Sequence, residues 1–181
     1  MPHIEEMVKE GQYLIIRAPR QHVTAALSKS LGAACLILSI DLQSIPSDSL
    51  QEETAFAQAI SRLILQGADV PEDIAGQLRD CIERQSDLME MFQTLRRWCA
   101  ASPIPIVLIL DGADDETVHQ PFLDLLAMLR MGHIQRDADG APTFLSVILA
   151  GTLDIVDLGR IAKQRDLRYI PWNIAVPFDM L

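Results

Sequence analysis

The stretch Ala18-Pro19-Arg20-Gln21-His22-Val23-Thr24-Ala25-Ala26-Leu27 has the setting of a phosphate-binding loop without its working residues. It follows Tyr13-Leu14-Ile15-Ile16, an apolar run that reads as a buried strand. It opens a helical pattern of Val23, Leu27 and Leu31 at spacings of four. Strand, turn and helix in that order present backbone N–H groups and a positive helix end to an anion, and such a loop closes on Gly-Lys-Ser/Thr. Read without gaps, those three places hold Val23, Thr24 and Ala25. Glycine permits a close backbone approach that a β-branched valine resists. Threonine lacks the charge a lysine brings to phosphates, and alanine lacks the hydroxyl that holds Mg²⁺.

A second candidate lies at the end of the aliphatic run Ile106-Val107-Leu108-Ile109-Leu110, which leads into Asp111-Gly112-Ala113-Asp114-Asp115. A carboxylate at the carboxyl end of a central parallel strand stands where α/β sheets bind ligands, so Asp111 is the candidate metal ligand. Asp114 and Asp115 read as caps of the helix that follows, with Glu116 favouring its dipole. Arg17 and Arg20 flank the loop and are candidates for holding an anion; the plainer reading is a solvated turn with surface arginines. Lys29 lies five residues beyond Thr24, about 7.5 Å further along a helix, and is expected to face solvent.

These residues need a frame. The periodicity predicts a short helix over 3–10 closed by Gly11, strands over 12–17, 36–42, 106–110 and 144–149, and a short fifth over 174–176. Between them it predicts helices over 50–66 and 116–132 and a helical region over 71–101 with a break near Gln85-Ser86. Arg136-Asp137-Ala138-Asp139-Gly140 reads as a polar loop. Strands alternating with helices, and unbroken aliphatic strands, imply an α/β fold: a mostly parallel sheet of about five strands with helices on both faces, wound right-handed. No repeat or internal boundary divides residues 1–181, which read as a single domain.

With 181 residues, 49% hydrophobic and 22% charged, the chain can bury a full core. Its net charge of −10 opposes nucleic-acid binding, which needs Lys and Arg to displace counterions, and opposes docking on an anionic membrane. Cys35, Cys81 and Cys99 are too widely spaced for a zinc site or disulfide framework. His3, His22, His119 and His133 fall on separate elements, and Trp98 and Trp172 read as packing residues. The start is acidic and carries no apolar leader, so a cytoplasmic protein is expected.

Several segments, in order, resemble the AAA-like P-loop ATPases of bacteria, whose ATPase domain is often fused to a restriction-endonuclease-like nuclease domain. They are Gly11-Gln12-Tyr13-Leu14, Ala18-Pro19-Arg20-Gln21, Ile106 through Asp114, Ser146 through Gly151, and Pro171-Trp172-Asn173-Ile174-Ala175. The family loop reads A-P-R-Q-x-G-K-T-T-L, and its third strand ends in Asp-Glu-x-Asp. The resemblance implies a three-layer P-loop NTPase-type fold with a vestigial nucleotide site of Arg17, Arg20, Gln21, Val23, Thr24, Ala25, Asp111 and Thr152. It implies Asp111 beside any magnesium and Thr152 near a γ-phosphate sensor position; Thr152 also reads as the start of the helical stretch Leu153–Leu158. The family's glycine, lysine, hydroxyl and general-base glutamate are replaced by Val23, Thr24, Ala25 and Gly112. Degenerate motifs imply no hydrolysis, no required cofactor, and a structural or interaction role with a protein partner or a second copy. The alternative is a residual ATP/ADP-binding domain or weak ATPase using ATP and Mg²⁺. The family's helical lid and nuclease domain are expected to lie outside this chain.

Overall fold

A computed structural model describes residues 2–18 and 22–180. Five strands, β1 (Tyr13–Arg17), β2 (Leu36–Asp41), β3 (Ile106–Ala113), β4 (Ser146–Gly151) and β5 (Ala175–Asp179), form one parallel sheet in the order β2-β3-β4-β1-β5. The helices are α1 (Pro2–Lys9), α2 (His22–Leu31), α3 (Glu53–Gly67), α4 (Glu72–Glu83), α5 (Leu88–Ala101), α6 (Gln120–Asp139) and α7 (Ile155–Gln164). From β1 the chain crosses to the far edge at β2, then returns through β3 and β4 to β5. Right-handed crossovers in both directions require the outward helix and the returning helices to lie on opposite faces.

The strands obey that requirement residue by residue. Leu14, Ile16, Val107, Ile109, Ile148 and Ala150 pack under α1 and α2 with Val23, Leu27 and Leu31. Their neighbours Tyr13, Ile15, Leu108, Leu110, Val147 and Leu149 pack on the other face, under α3 to α7. Period-two alternation with both faces apolar makes these strands read as continuous hydrophobic runs. Trp98, Trp172 and Cys35 are all buried. No helix among the described residues is long and apolar enough to cross a membrane.

Local departures from the sequence reading have identifiable causes. The 136–140 segment is the last turn of α6, not a loop: Gly140 adopts a left-handed cap (φ 75°) and its N–H donates to the Arg136 carbonyl. The Arg136 side chain also anchors that turn, donating to the carbonyls of Gly11 (2.8 Å), Phe144 (3.0 Å) and Leu145 (2.6 Å). Strand β4 runs from 146 to 151 rather than 144 to 149, although Phe144 is fully buried just before it. Helix α3 starts at Glu53 because the Glu52 carboxylate caps it, accepting from the N–H groups of Thr54 and Ala55. The break between α4 and α5, by contrast, falls where expected, at Gln85, whose φ is 52°, and Asp87 caps α5. Asp114 caps only a short 3₁₀ turn, Asp115–Thr117; α6 begins later, with Pro121 in its first turn.

Candidate functional site

Adjacent strands β1 and β4 send their following helices to opposite faces, which makes the carboxyl edge there a topological switch point, the usual place for a ligand in such sheets. The nearby cavity lies between the start of α2 and the ends of β2 and β3. It measures about 380 Å³ and is lined by Thr24, Ala25, Ser39, Asp41, Gln43, Asp111 and Gly112. Three elements supply these groups. Thr24 and Ala25 project from the first turn of α2, Ser39 and Asp41 from alternate positions of β2, and Asp111 from β3 directly opposite Asp41 in the strand register.

A chain of hydroxyls and carboxylates runs round the cavity. Thr24 Oγ1 donates to Asp111 Oδ2 over 3.4 Å and shares a 3.2 Å hydrogen bond with Ser39 Oγ. Both are long for hydroxyl bonds and hold the side chains loosely. Asp41 acts as a cap: Oδ1 accepts from the Gln43 N–H (3.0 Å) and Oδ2 from the Ser44 hydroxyl (2.9 Å).

Gly112 is the second feature. It has φ of 80°, and it sits at a register shift between Asp111 and Ala113, where β3 bulges against β4. A Cβ on Gly112 would stand 2.8 Å from Gln43 Cγ. The Gln43 amide in turn donates to the Gly112 carbonyl (2.6 Å) and to Asp114 Oδ2 (2.8 Å). Left-handed backbone and the glutamine side chain together disfavour a side chain here, since Gln43 would have to shift to admit one.

The sequence-derived site residues separate into groups. Thr24, Ala25 and Asp111 meet at the cavity. Val23 is turned into the core beneath the sheet. Arg17 points to Asp154 and Asp179 at 3.9 and 3.8 Å, outside the cavity lining. Thr152 is exposed, is not among the lining residues, and donates its backbone N–H to the Ala113 carbonyl. Arg20 and Gln21 lie outside the described residues. Lys29 is exposed on α2. Ser39, Asp41 and Gln43 were not singled out by the sequence reading; the alternation of polar residues at the end of the second strand is the signal that points to them.

None of the described residues lining the cavity is Lys or Arg, and two are carboxylates. Such a lining suits a hydrogen-bond donor better than a phosphate, which Asp41 and Asp111 repel. Asp111 and the Thr24 hydroxyl are a fitting pair for Mg²⁺, but no described group of three or more His, Cys, Asp or Glu is placed to hold a metal.

The sheet defines a three-layer α/β fold with five parallel strands and helices on both faces. No protein-family model and no curated protein matches the chain. Among solved structures it is similar to a chain in the structure of Drosophila ORC bound to AT-rich DNA and Cdc6. The identity is 12% and the TM-score 0.43, over 99% of this chain and 54% of that one. It is also similar to a chain in the structure of Drosophila ORC bound to GC-rich DNA and Cdc6, at 12% identity and a TM-score of 0.48, over 99% of this chain and 27% of that one. This chain thus spans about half the length of the first and about a quarter of the second.

Proposed function

We propose that the chain is a degenerate AAA-like P-loop domain that does not hydrolyse ATP and serves as a cytoplasmic structural or protein-interaction module. The observation that carries this reading is the Gly112 bulge. The position next to Asp111, where a water-activating carboxylate would stand, has left-handed backbone, and Gln43 fills the space a side chain would need. Without that base, and with threonine at the lysine position, the site lacks the groups that position and polarise a transferring phosphoryl. The net charge of −10 supports a protein partner rather than nucleic acid.

Calorimetric titration with ATP and ADP, with and without Mg²⁺, tests it. The expected result is no saturable heat at millimolar nucleotide and no phosphate release. ATP turnover that disappears on Asp111→Ala would overturn it. A second reading, a domain that still binds nucleotide without hydrolysing it, is favoured by the open cavity beside Thr24 and Asp111. Saturable Mg²⁺-dependent heat with no phosphate release selects that reading.

A further inference from the structure

On the face opposite α1 and α2, a groove of about 550 Å³ runs between α5 and α6. Its floor is Phe92, Met128 and Gly132, and its walls are Met89, Met131 and Ile170. The wall residues are 45%, 51% and 53% exposed, so three of the large apolar side chains most open to water gather at one place. Gly132 brings the helices close: a Cβ there would stand 3.6 Å from the Phe92 ring and 3.0 Å from the Thr143 hydroxyl. A second depression of about 320 Å³ shares Gln93 and Arg96 with the first and continues it to Ala100. From Met89 to Ala100 the trough follows α5 for about 16 Å, three turns of helix.

The charge of this trough is opposite in sign to that of the chain as a whole. Its lining carries Arg96, Arg97 and Arg168 against a single acid, Asp124, which faces Arg168 at 3.9 Å. A basic strip on a chain of net charge −10 is a local reversal of sign. Arg96 is held in place by donating Nε–H to the Pro142 carbonyl (3.1 Å), and Arg97 by donating to Gln77 (2.8 Å). Both of these partners are neutral. Unbranched methionines adapt to different apolar partners, and exposed apolar surface rimmed by polar groups marks an interaction site.

We infer that this trough is the docking surface for an amphipathic helix of a partner protein, with apolar residues on one stripe and Asp or Glu beside them. The inference rests on the reading of the chain as an interaction module. Length and openness favour a helix over a compact small ligand: a helix lays apolar residues at i, i+3/i+4 and i+7 into such a trough, whereas small-ligand sites enclose most of their ligand. The three arginines favour an acidic helix, through complementarity that sets partner choice.

The test is fluorescence anisotropy of a labelled four-turn peptide with a leucine stripe flanked by glutamates, titrated with the full chain at low salt. A version with lysine for every glutamate is the control. The expected result is saturable binding of the acidic peptide, at least tenfold weaker binding of the lysine version, and at least tenfold loss with Met131→Asp. Arg168→Glu should weaken the acidic peptide and strengthen the lysine one. Met131 and Arg168 are exposed, so thermal melts of these variants should match the parent; Met89→Asp is the substitute if one fails to fold. Absent binding, equal binding of both peptides, or binding indifferent to Met131→Asp overturns the proposal. So does saturable binding of dodecanoate, sensitive to Met131→Asp, in place of the peptide, or a self-association abolished by Met131→Asp that leaves no peptide binding. A null peptide titration beside inert ATP calorimetry removes this trough alone, whereas ATP turnover removes the module reading itself.

Discussion

At the amino edge of the sheet the Arg136 guanidinium donates to the carbonyls of Gly11, Phe144 and Leu145, whereas at the carboxyl edge Thr24, Ser39, Asp41 and Asp111 surround an open cavity. The same need, satisfying polar groups where strands end, is met in two ways. At the amino edge one planar cation, 5.8 Å from the Tyr13 ring and 2.9 Å from His133 Nδ1, joins α6 to the turns before β1 and β4. The carboxyl edge relies instead on longer hydroxyl contacts and a glycine bulge. The first arrangement fastens the fold. The second leaves room for a ligand at the cost of local rigidity.

The contrast breaks first if Arg136 is dispensable. Arg136→Ala leaves three carbonyls at the amino edge without their donor, and it should lower the unfolding free energy by about 3 kcal/mol in urea denaturation. A loss under about 1 kcal/mol would mean that edge is not fastened there. At the other edge, Gly112→Ala forces a side chain into left-handed backbone and against Gln43, and should destabilise by about 1–2 kcal/mol. Adding Gln43→Ala should recover the steric part and leave the backbone part, separating the two causes.

The smallest effect is a pH dependence at the amino edge. Burial lowers the His133 pKa and outweighs the nearby Asp137 carboxylate, which raises it; Arg136 pushes the same way as burial. Because Arg136 donates to Nδ1, the ring must be neutral in this arrangement. A histidine with a lowered folded pKa binds fewer protons folded than unfolded. Its contribution is therefore complete above the unfolded value of roughly 6.5 and is lost as pH falls through that value toward the folded one. His119, also lowered chiefly by burial, acts in the same direction. Denaturation midpoints should fall on acidification below about pH 6.5, and His133→Gln should flatten that fall. An unchanged slope would assign it to His119 or to groups elsewhere.

Most of the frame was legible because the strands advertise themselves. Ile106 through Leu110 and Val147 through Leu149 are apolar on both faces and stand in the middle of the sheet. The tail of α6 was not legible, since 136–139 is a mostly polar stretch that stays helical with the hydrogen bonds of Arg136 and the cap at Gly140. The site was half legible. Thr24, Ala25 and Asp111 follow from their places after the first strand and at the end of the third. Ser39 and Asp41 lie on β2 and Gln43 in the 3₁₀ turn after it, far from Asp111 in sequence, and no local pattern ties them to it.

The sequence by itself determined the alternation of strands and helices and the apolar faces on which they pack. Those are local properties, set by side-chain period and residue type. Only the tertiary structure decided that β2 lies beside β3, and so that Asp41 faces Asp111 and Gln43 occupies the space over Gly112. Strand order arises from packing helices on both faces of one sheet. Each strand, apolar on both sides, could pair with several neighbours, and the choice among them belongs to the assembled core.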